Sequence, residues 1–422
     1  MPDPHQPTQR IAHSDEILRR REVLGWKLGL ERMRRLCALL GMPQHRFASI
    51  HVVGTNGKSS VTRMTAALLE AHGLSTAAYL SPHIRSWRER VMIRGEPISE
   101  DAFIDALERA EQAAEVADRS AGEEGPVTQY ELLTAAAFVA FANARVKYAV
   151  IEAGLGGRLD ATNLIPSQLT VLTSVGLDHT EWLGETVEEI AAEKLAVLRD
   201  HTTLIVGEVP DQVEPVIASA VERRHAHLVR VAVDAGGDPV TYRDRNLALA
   251  ESATEMALGR LDPDAVLALQ AITIPGRAQV VPGDPPEVFD AAHNPDGARA
   301  LAEALPELTG GADIVCCLAV LEGKDATGIV NGLAAACSHF VCTEIPPEAI
   351  EGSGRPGGRA RPALELAALC ERAGKSAEAV PDPVEAWQRA RELAVENHGV
   401  ALAAGSHYLL SCIWTERPAQ SS

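Results

Sequence analysis

The sequence predicts an α/β protein with a mainly parallel sheet, followed by a smaller α/β domain, and three observations support this. From residue 48 onward, short apolar runs alternate with longer helix-patterned segments, as in strand–helix–strand units that bury a parallel sheet. One such run, "IHVV", leads directly into glycines and a lysine, "GTNGKSS". Near "QAITIPGRAQVVPGDPP" the alternation lapses into Pro and Gly, then resumes, which marks a junction between two units. A chain of 422 residues is long enough for both.

Taken in order, "SIHVV" reads as a strand and "SVTRMTAALLEAHG" as a helix ending at Gly73. "STAAYL", "YAVIEA" and "LTVLTSV" read as further buried strands. Beyond the junction come strand "EVFDA", a helix from Asp296, and strands "DIVCCLAV" and "HFVCTEI". Helices over about 363–374 and 383–396 and strand "GVALAAG" complete the second unit.

Hydrophobic residues make up 46% of the chain, enough to build large cores. Seven cysteines, without a CxxC pair and partly inside apolar runs, read as reduced, buried thiols of a cytoplasmic protein. The start, "MPDPHQPTQRIAHSDE", has no apolar signal core, and no stretch approaches a membrane span, so no membrane partner is expected. A net charge of −19 argues against nucleic acid as a partner. It leaves room for a small anion, which a few local cations and a helix N-terminus can hold. There is no clear internal repeat. The low-complexity stretches are an Ala/Glu-rich segment near 105–125 and the loop "GSGRPGGRARP" at 352–362.

The segment Gly54-Thr55-Asn56-Gly57-Lys58-Ser59-Ser60 lies between a strand and a helix. Glycines there let backbone N–H groups face a phosphate, and the helix N-terminus adds its dipole. Lys58 would reach the β- and γ-phosphates of a nucleotide, and a serine hydroxyl could meet Mg²⁺. The full Walker spacing is not met, because Val52 stands at its first glycine. Two later strands finish on cation-binding groups, one at Glu152 and the other at Asp178 and His179. Loops beyond the carboxyl ends of parallel strands gather at one edge, so Glu152 and His179 could meet a metal on ATP. Mg²⁺ prefers oxygen, which makes His179 the less expected ligand.

In "TVEEIAAEKLAVLR", helical spacing places Lys194 on a stripe with Val187, Ile190, Ala191, Val197 and Leu198. A lysine facing a core either snorkels or pairs with a carboxylate, or loses its proton through desolvation. A neutral amine there can take up CO₂ and become a carbamate, an anionic metal ligand.

With "GLERMRRLCALLGMP", "IHVVGTNGKSS", "SPHIRSWRERV", "QYELLTAAAF", "IEAGLGGRLDATN", "TSVGLDHTEWLGETVEEIAAEK", "PGR", "DAAHNPDGA" and "GSHYLL" in this order, the chain resembles the folylpolyglutamate synthase / dihydrofolate synthase family of the Mur ligase superfamily. The resemblance runs from about Leu28 to Tyr408. It implies a P-loop ATPase domain over 1–272, a Rossmann-like domain over 273–422, and an active site between them. By the resemblance, the loop from Gly54 to Ser60, with Lys58, binds ATP, and Ser81, Glu152 and His179 hold Mg²⁺. Lys194 matches the family's carbamylated lysine. Arg277, Asp290 and His293 match the second domain's contribution to the nucleotide and the closed site.

The implied reaction joins L-glutamate to dihydropteroate or a reduced folate through an acyl phosphate, in a monomer; a monovalent cation could assist. Three departures leave the reactive groups in place: Ser59 for the family's usual Gly, Ala291 for Gly before "AHN", and Leu195-Ala196 for Ala-Gly. Rival readings are a Mur-type ligase acting on a UDP-sugar peptide and a nucleotide-binding regulatory protein without turnover. The "SPHIRSWRERV" stretch counts against the first, and retention of Lys58, Glu152, His179 and Lys194 against the second.

Overall fold

The computed structural model describes residues 6–22, 27–233, 240–269, 272–351 and 358–414. Most of the Gly-rich part of the 352–362 loop therefore lies outside the described residues. Two mostly parallel sheets organise the chain. The first comprises β1 (Ala48–Val53), β2 (Thr76–Tyr79), β3 (Val91–Ile93), β4 (Glu96–Pro97), β5 (Tyr148–Glu152), β6 (Leu169–Leu172), β7 (Thr203–Val206) and β8 (His227–Arg230). Its order is β4-β3-β2-β5-β1-β6-β7-β8, with only β3 running against the others, antiparallel to both β2 and β4. The second comprises β9 (Gln279–Val281), β10 (Glu287–Phe289), β11 (Ile314–Leu318), β12 (His339–Cys342), β13 (Ser376–Ala379) and β14 (Val400–Ala404), in the order β13-β12-β11-β14-β10-β9.

The apolar runs are buried because both faces of each sheet are covered. In the first, helices Lys58–Ala71 and Tyr242–Leu258 cover one face through Val61, Leu69, Leu249 and Ala253. Helices Glu100–Arg119 and Gln129–Asn143 cover the other through Phe103, Leu107, Phe138 and Phe141. In the second sheet, alternate residues of β11 part company. Cys316 and Leu318 join helices Pro295–Thr309, Ala326–Ala334 and Ala363–Arg372, whereas Val315 and Cys317 join Pro383–Glu396 and His407–Trp414. Six of the seven cysteines are buried free thiols and the seventh is partly buried, as the unpatterned set suggested.

The junction is more ordered than its Pro and Gly content predicts. Gln279–Val281 forms β9, which pairs antiparallel with β10 at the edge of the second sheet. The short strands β3 and β4 escape pattern reading because runs this brief carry no periodicity. Among the described residues, no helix is long and apolar enough to cross a membrane.

Register positions the site. Val52 pairs with Glu152 and Val53 with Leu172, so the loops after β1, β5 and β6 leave the sheet at one edge. Ile84, carried by the loop after β2, inserts among Phe289, Leu409 and Leu410 of the second lobe and joins the two lobes through apolar contact.

Behind this edge, Arg32 is anchored to Glu131: its Nε lies 3.0 Å from each carboxylate oxygen, and both side chains are 4% exposed. Glu131 also caps its own helix through Thr128. Removing the arginine leaves a buried carboxylate uncompensated, so Arg32→Ala is expected to lower the unfolding free energy in urea by about 3–5 kcal/mol.

Candidate active site

The loop after β1 is stitched to the segment after β6. Thr55 N donates to Ser174 O at 2.9 Å, Asn56 N to Ser174 Oγ at 2.9 Å, and Thr173 Oγ1 to Asn56 O at 2.6 Å. Two glycines are required by close approach. A Cβ on Gly54 would sit 2.0 Å from Thr173 Oγ1, and one on Gly57, where φ is +83°, would sit 2.4 Å from Asn246 Oδ1. Helix Lys58–Ala71 then begins with no side-chain cap, leaving its first N–H groups for a ligand. Lys58 Nζ lies over the loop, donating to Thr55 O at 3.1 Å.

Glu152 ends β5 with 2% exposure. It accepts from the Ser59 hydroxyl at 2.9 and 3.1 Å and from the Ser81 backbone N–H at 3.1 Å. Burial raises its pKa, opposed by the Lys58 charge and these donors. Burial in turn lowers the pKa of Lys58, with the Glu152 charge opposing. A buried carboxylate with a hydroxyl beside it suits a hard cation that also takes phosphate oxygens. Among the described residues, no group of three or more His, Cys, Asp or Glu forms a ready-made metal cage.

Lys194 is 4% exposed, and its Nζ donates to Gly54 O at 2.8 Å. Burial, with the Lys58 charge adding, lowers its pKa to about 7. The apolar stripe thus led to a buried amine, with one difference. The helix spans Val187–Leu195, so Val197 and Leu198 are buried from the turn after it and not from its face.

His179 opens a short helix with φ of +52°, an uncommon backbone for a residue with a side chain. Its ring lines the same cleft as Lys58, Ser81, Glu152 and Lys194. This cleft of about 860 Å³ lies between the lobes.

From the second lobe, Arg277, Asp290 and His293 reach the cleft as well. Asp290 spends its oxygens on structure, accepting from Ala278 N at 2.7 Å, Ala292 N at 2.8 Å and the Tyr242 hydroxyl at 3.3 Å. Arg277 donates to His407 Nε2 at 3.3 Å. His293 binds Ala291 O at 3.0 Å and Asp178 Oδ2 at 3.1 Å through its two ring nitrogens. Each candidate read from the sequence, from Gly54 through Ser60 and from Ser81 to His293, therefore lies at this one junction.

Sequence reasoning missed other groups there. Asn294 and Asn56 exchange amide hydrogen bonds at 2.9 and 3.1 Å across the lobes, while Asn294 Oδ1 caps its own helix at Gly297 N. The order Asn-Pro-Asp-Gly is an N-cap signal that could have flagged it. Asp160 accepts from Leu155 N at 2.9 Å and from Thr162 Oγ1 at 2.5 Å. Thr162 Oγ1 also contacts His51 Nε2 at 2.9 Å. Because Thr162 gives its only hydroxyl proton to Asp160, His51 must donate from Nε2, which leaves Nδ1 bare and buried.

These features fit the known proteins that the chain resembles. Residues 52–280 match the Mur ligase middle domain, and 276–407 match the Mur ligase glutamate ligase domain. The dihydrofolate synthase/folylpolyglutamate synthase of Mycobacterium tuberculosis is 36% identical over 358 residues, 74% of each chain. A solved folylpolyglutamate synthase from that organism, complexed with ADP, superposes with a TM-score of 0.86 at 30% identity, covering 98% of this chain and all of that one. A bifunctional folylpolyglutamate synthase/dihydrofolate synthase with Mn, AMPPNP and L-glutamate bound gives 0.77 at 29% identity, covering 94% of this chain and 95% of that one. Fold and site thus define a Mur-type ATP-dependent ligase. Within that class, the chain belongs to the dihydrofolate synthase/folylpolyglutamate synthase family.

His51 supplies a pH prediction. Burial first, then the Arg199 charge, lowers its pKa to about 3 from the ordinary 6.5, so only the unfolded chain binds this proton between those values. Stability from this residue is complete above pH 6.5 and declines as pH falls toward 3. Between pH 6 and 4, His51→Gln should lose stability less steeply than the parent by about 1.4 kcal/mol per pH unit in urea titrations.

Proposed function

We propose that the cleft joins L-glutamate to the carboxylate of dihydropteroate or a reduced folate, with ATP as the energy source. The observation that carries this reading is the convergence of Lys58, Glu152, Lys194 and an uncapped helix N-terminus where three parallel strands end. In it, the loop from Gly54 to Ser60 cradles the ATP phosphates through N–H groups, and Lys58 neutralises charge on the moving phosphoryl group. The acceptor carboxylate attacks the γ-phosphorus, the bond to the β–γ bridging oxygen breaks and ADP leaves, which gives an acyl phosphate. The glutamate amine then attacks the acyl carbon and gives up a proton, and phosphate leaves. Arg277 and His293 close the site from the second lobe, with Asp290 holding the Arg277 loop in place.

Ser81, Glu152 and His179 would hold Mg²⁺, which supplies charge neutralisation on the phosphates when bound. The manganese in the related solved enzyme supports a divalent ion here. Lys194 would complete the ligand set as a carbamate: its neutral amine attacks CO₂ and loses a proton, exchanging a buried cation for an anionic oxygen donor. Domains over 1–272 and 273–422, a monomeric state, a cytoplasmic setting without nucleic-acid or membrane partners, and room for a monovalent cation belong to the same reading. The division near 272 is supported by the meeting of the two family matches at 276–280.

The test is release of ADP and phosphate by purified protein with Mg-ATP and glutamate, supplied separately with dihydropteroate, tetrahydrofolate or a UDP-muramyl acceptor. Turnover with either pteridine is expected; turnover with the UDP-muramyl acceptor alone would overturn the reading. Lys58→Ala should fold and lose about 10²–10³ in rate, since it removes one charge directed at the phosphoryl group. Lys194→Ala should also fold and turn over poorly, with partial rescue by short carboxylates. Protein kept in carbon-13 bicarbonate should show a carbamate carbon signal that Lys194→Ala lacks. A fully active enzyme without that signal would remove the carbamate.

A further inference from the structure

Asp178 is the meeting point of the two lobes. It follows β6 in the first lobe, and its side chain is 8% exposed. Its Oδ2 accepts from His293 Nε2 at 3.1 Å and from Asn294 Nδ2 at 3.3 Å, both at the start of helix Pro295–Thr309. Its Oδ1 accepts from its neighbour's backbone, His179 N at 2.9 Å, and from Lys324 Nζ. Lys324 comes from the loop after β11, and its side chain is 11% exposed. One carboxylate of the first lobe is therefore saturated by side chains from two separate loops of the second.

We propose that Lys324 is a positioning residue, which by pairing with Asp178 clasps the second lobe over the phosphate loop in the arrangement the ligation needs. The physical case rests on desolvation. Bringing the lobes together takes the Asp178 carboxylate out of water, which is favourable only if its charge is paired and its lone pairs filled. His293, whose two ring nitrogens both donate to oxygens, shares one oxygen with Asn294 as a cation, and Lys324 brings a second cation to the other. The same approach aligns Asn294 with Asn56 on the phosphate loop, so the pairing sets the loop's position relative to the second lobe. Without the lysine, Oδ1 loses its charged donor and keeps the His179 N–H, and the lobes separate to rehydrate that oxygen.

This inference rests on the ligase reading for its kinetic arm only. Ligand-free parent, Lys324→Met and Lys324→Arg are compared by small-angle X-ray scattering and by steady-state ligation, with circular dichroism confirming that each is folded. Lys324→Met should have a larger radius of gyration than the parent. Its kcat should fall on the order of 10²-fold, the scale expected when one partner of a buried charge pair is removed. Lys324→Arg should recover most of both. Unchanged scattering with only a raised KM for glutamate or the pteridine would overturn the clasp and make Lys324 a substrate-binding group. Unchanged scattering with unchanged rate would overturn it as well. Scattering needs no turnover, so inactivity of the parent toward every acceptor would overturn the ligase reading while the clasp is still decided by the change in size.

Discussion

The hydrogen-bonded seam between the loop after β1 and the segment after β6 fixes everything else at the cleft. Thr55 and Asn56 are tied to Thr173, Ser174 and Gly176 through backbone and hydroxyl groups, so this loop cannot move independently of the sheet edge. Lys194 supports it from below at the Gly54 carbonyl, Asn246 presses against Gly57, and Asn294 meets Asn56 from the second lobe. Three elements remote in sequence thus read the position of one loop. A phosphate site built on backbone N–H groups depends on this kind of fixation, because no side-chain rotamer can correct a misplaced amide.

Charge at the cleft differs from charge on the molecule. The chain carries −19 overall, yet Lys58, Lys194, Lys324, Arg90 and Arg277 line one cavity. Against them stand Glu152, Asp160, Asp178 and Asp290, each almost buried and each held by named donors. Every one of these carboxylates would be costly alone. Hydroxyls, amides and opposite charges offset that cost. Lys194 lies at the limit of this arrangement, since its pKa of about 7 leaves much of it uncharged near neutrality.

Much of this was legible in sequence, for a physical reason in each case. "IHVVGTNGKSS" announces its local structure because a strand, a glycine turn and a helix start are contiguous. Lys194 was visible because a charged residue interrupts an apolar stripe at helical spacing, though that stripe ran past the true end of the helix. Glu152 and His179 stood out as polar ends of apolar strands. What could not be read were partnerships. His293 and Lys324 meet Asp178 from 115 and 146 residues away, and Arg32 meets Glu131 from 99. Asp160 lies in a glycine-rich turn whose local pattern carries no sign of the line from His51 through Thr162 that holds it. Local pattern reports the secondary structure that carries a group, whereas sheet order and lobe packing decide what the group touches.

The central claim is that this cleft activates a carboxylate by phosphorylating it. Labelling the acceptor carboxylate with oxygen-18 tests that most directly, because an acyl phosphate passes one carboxylate oxygen to the released phosphate. Mass analysis of the phosphate should find one labelled oxygen for each glutamate joined. Unlabelled phosphate accompanying normal ligation would contradict the account.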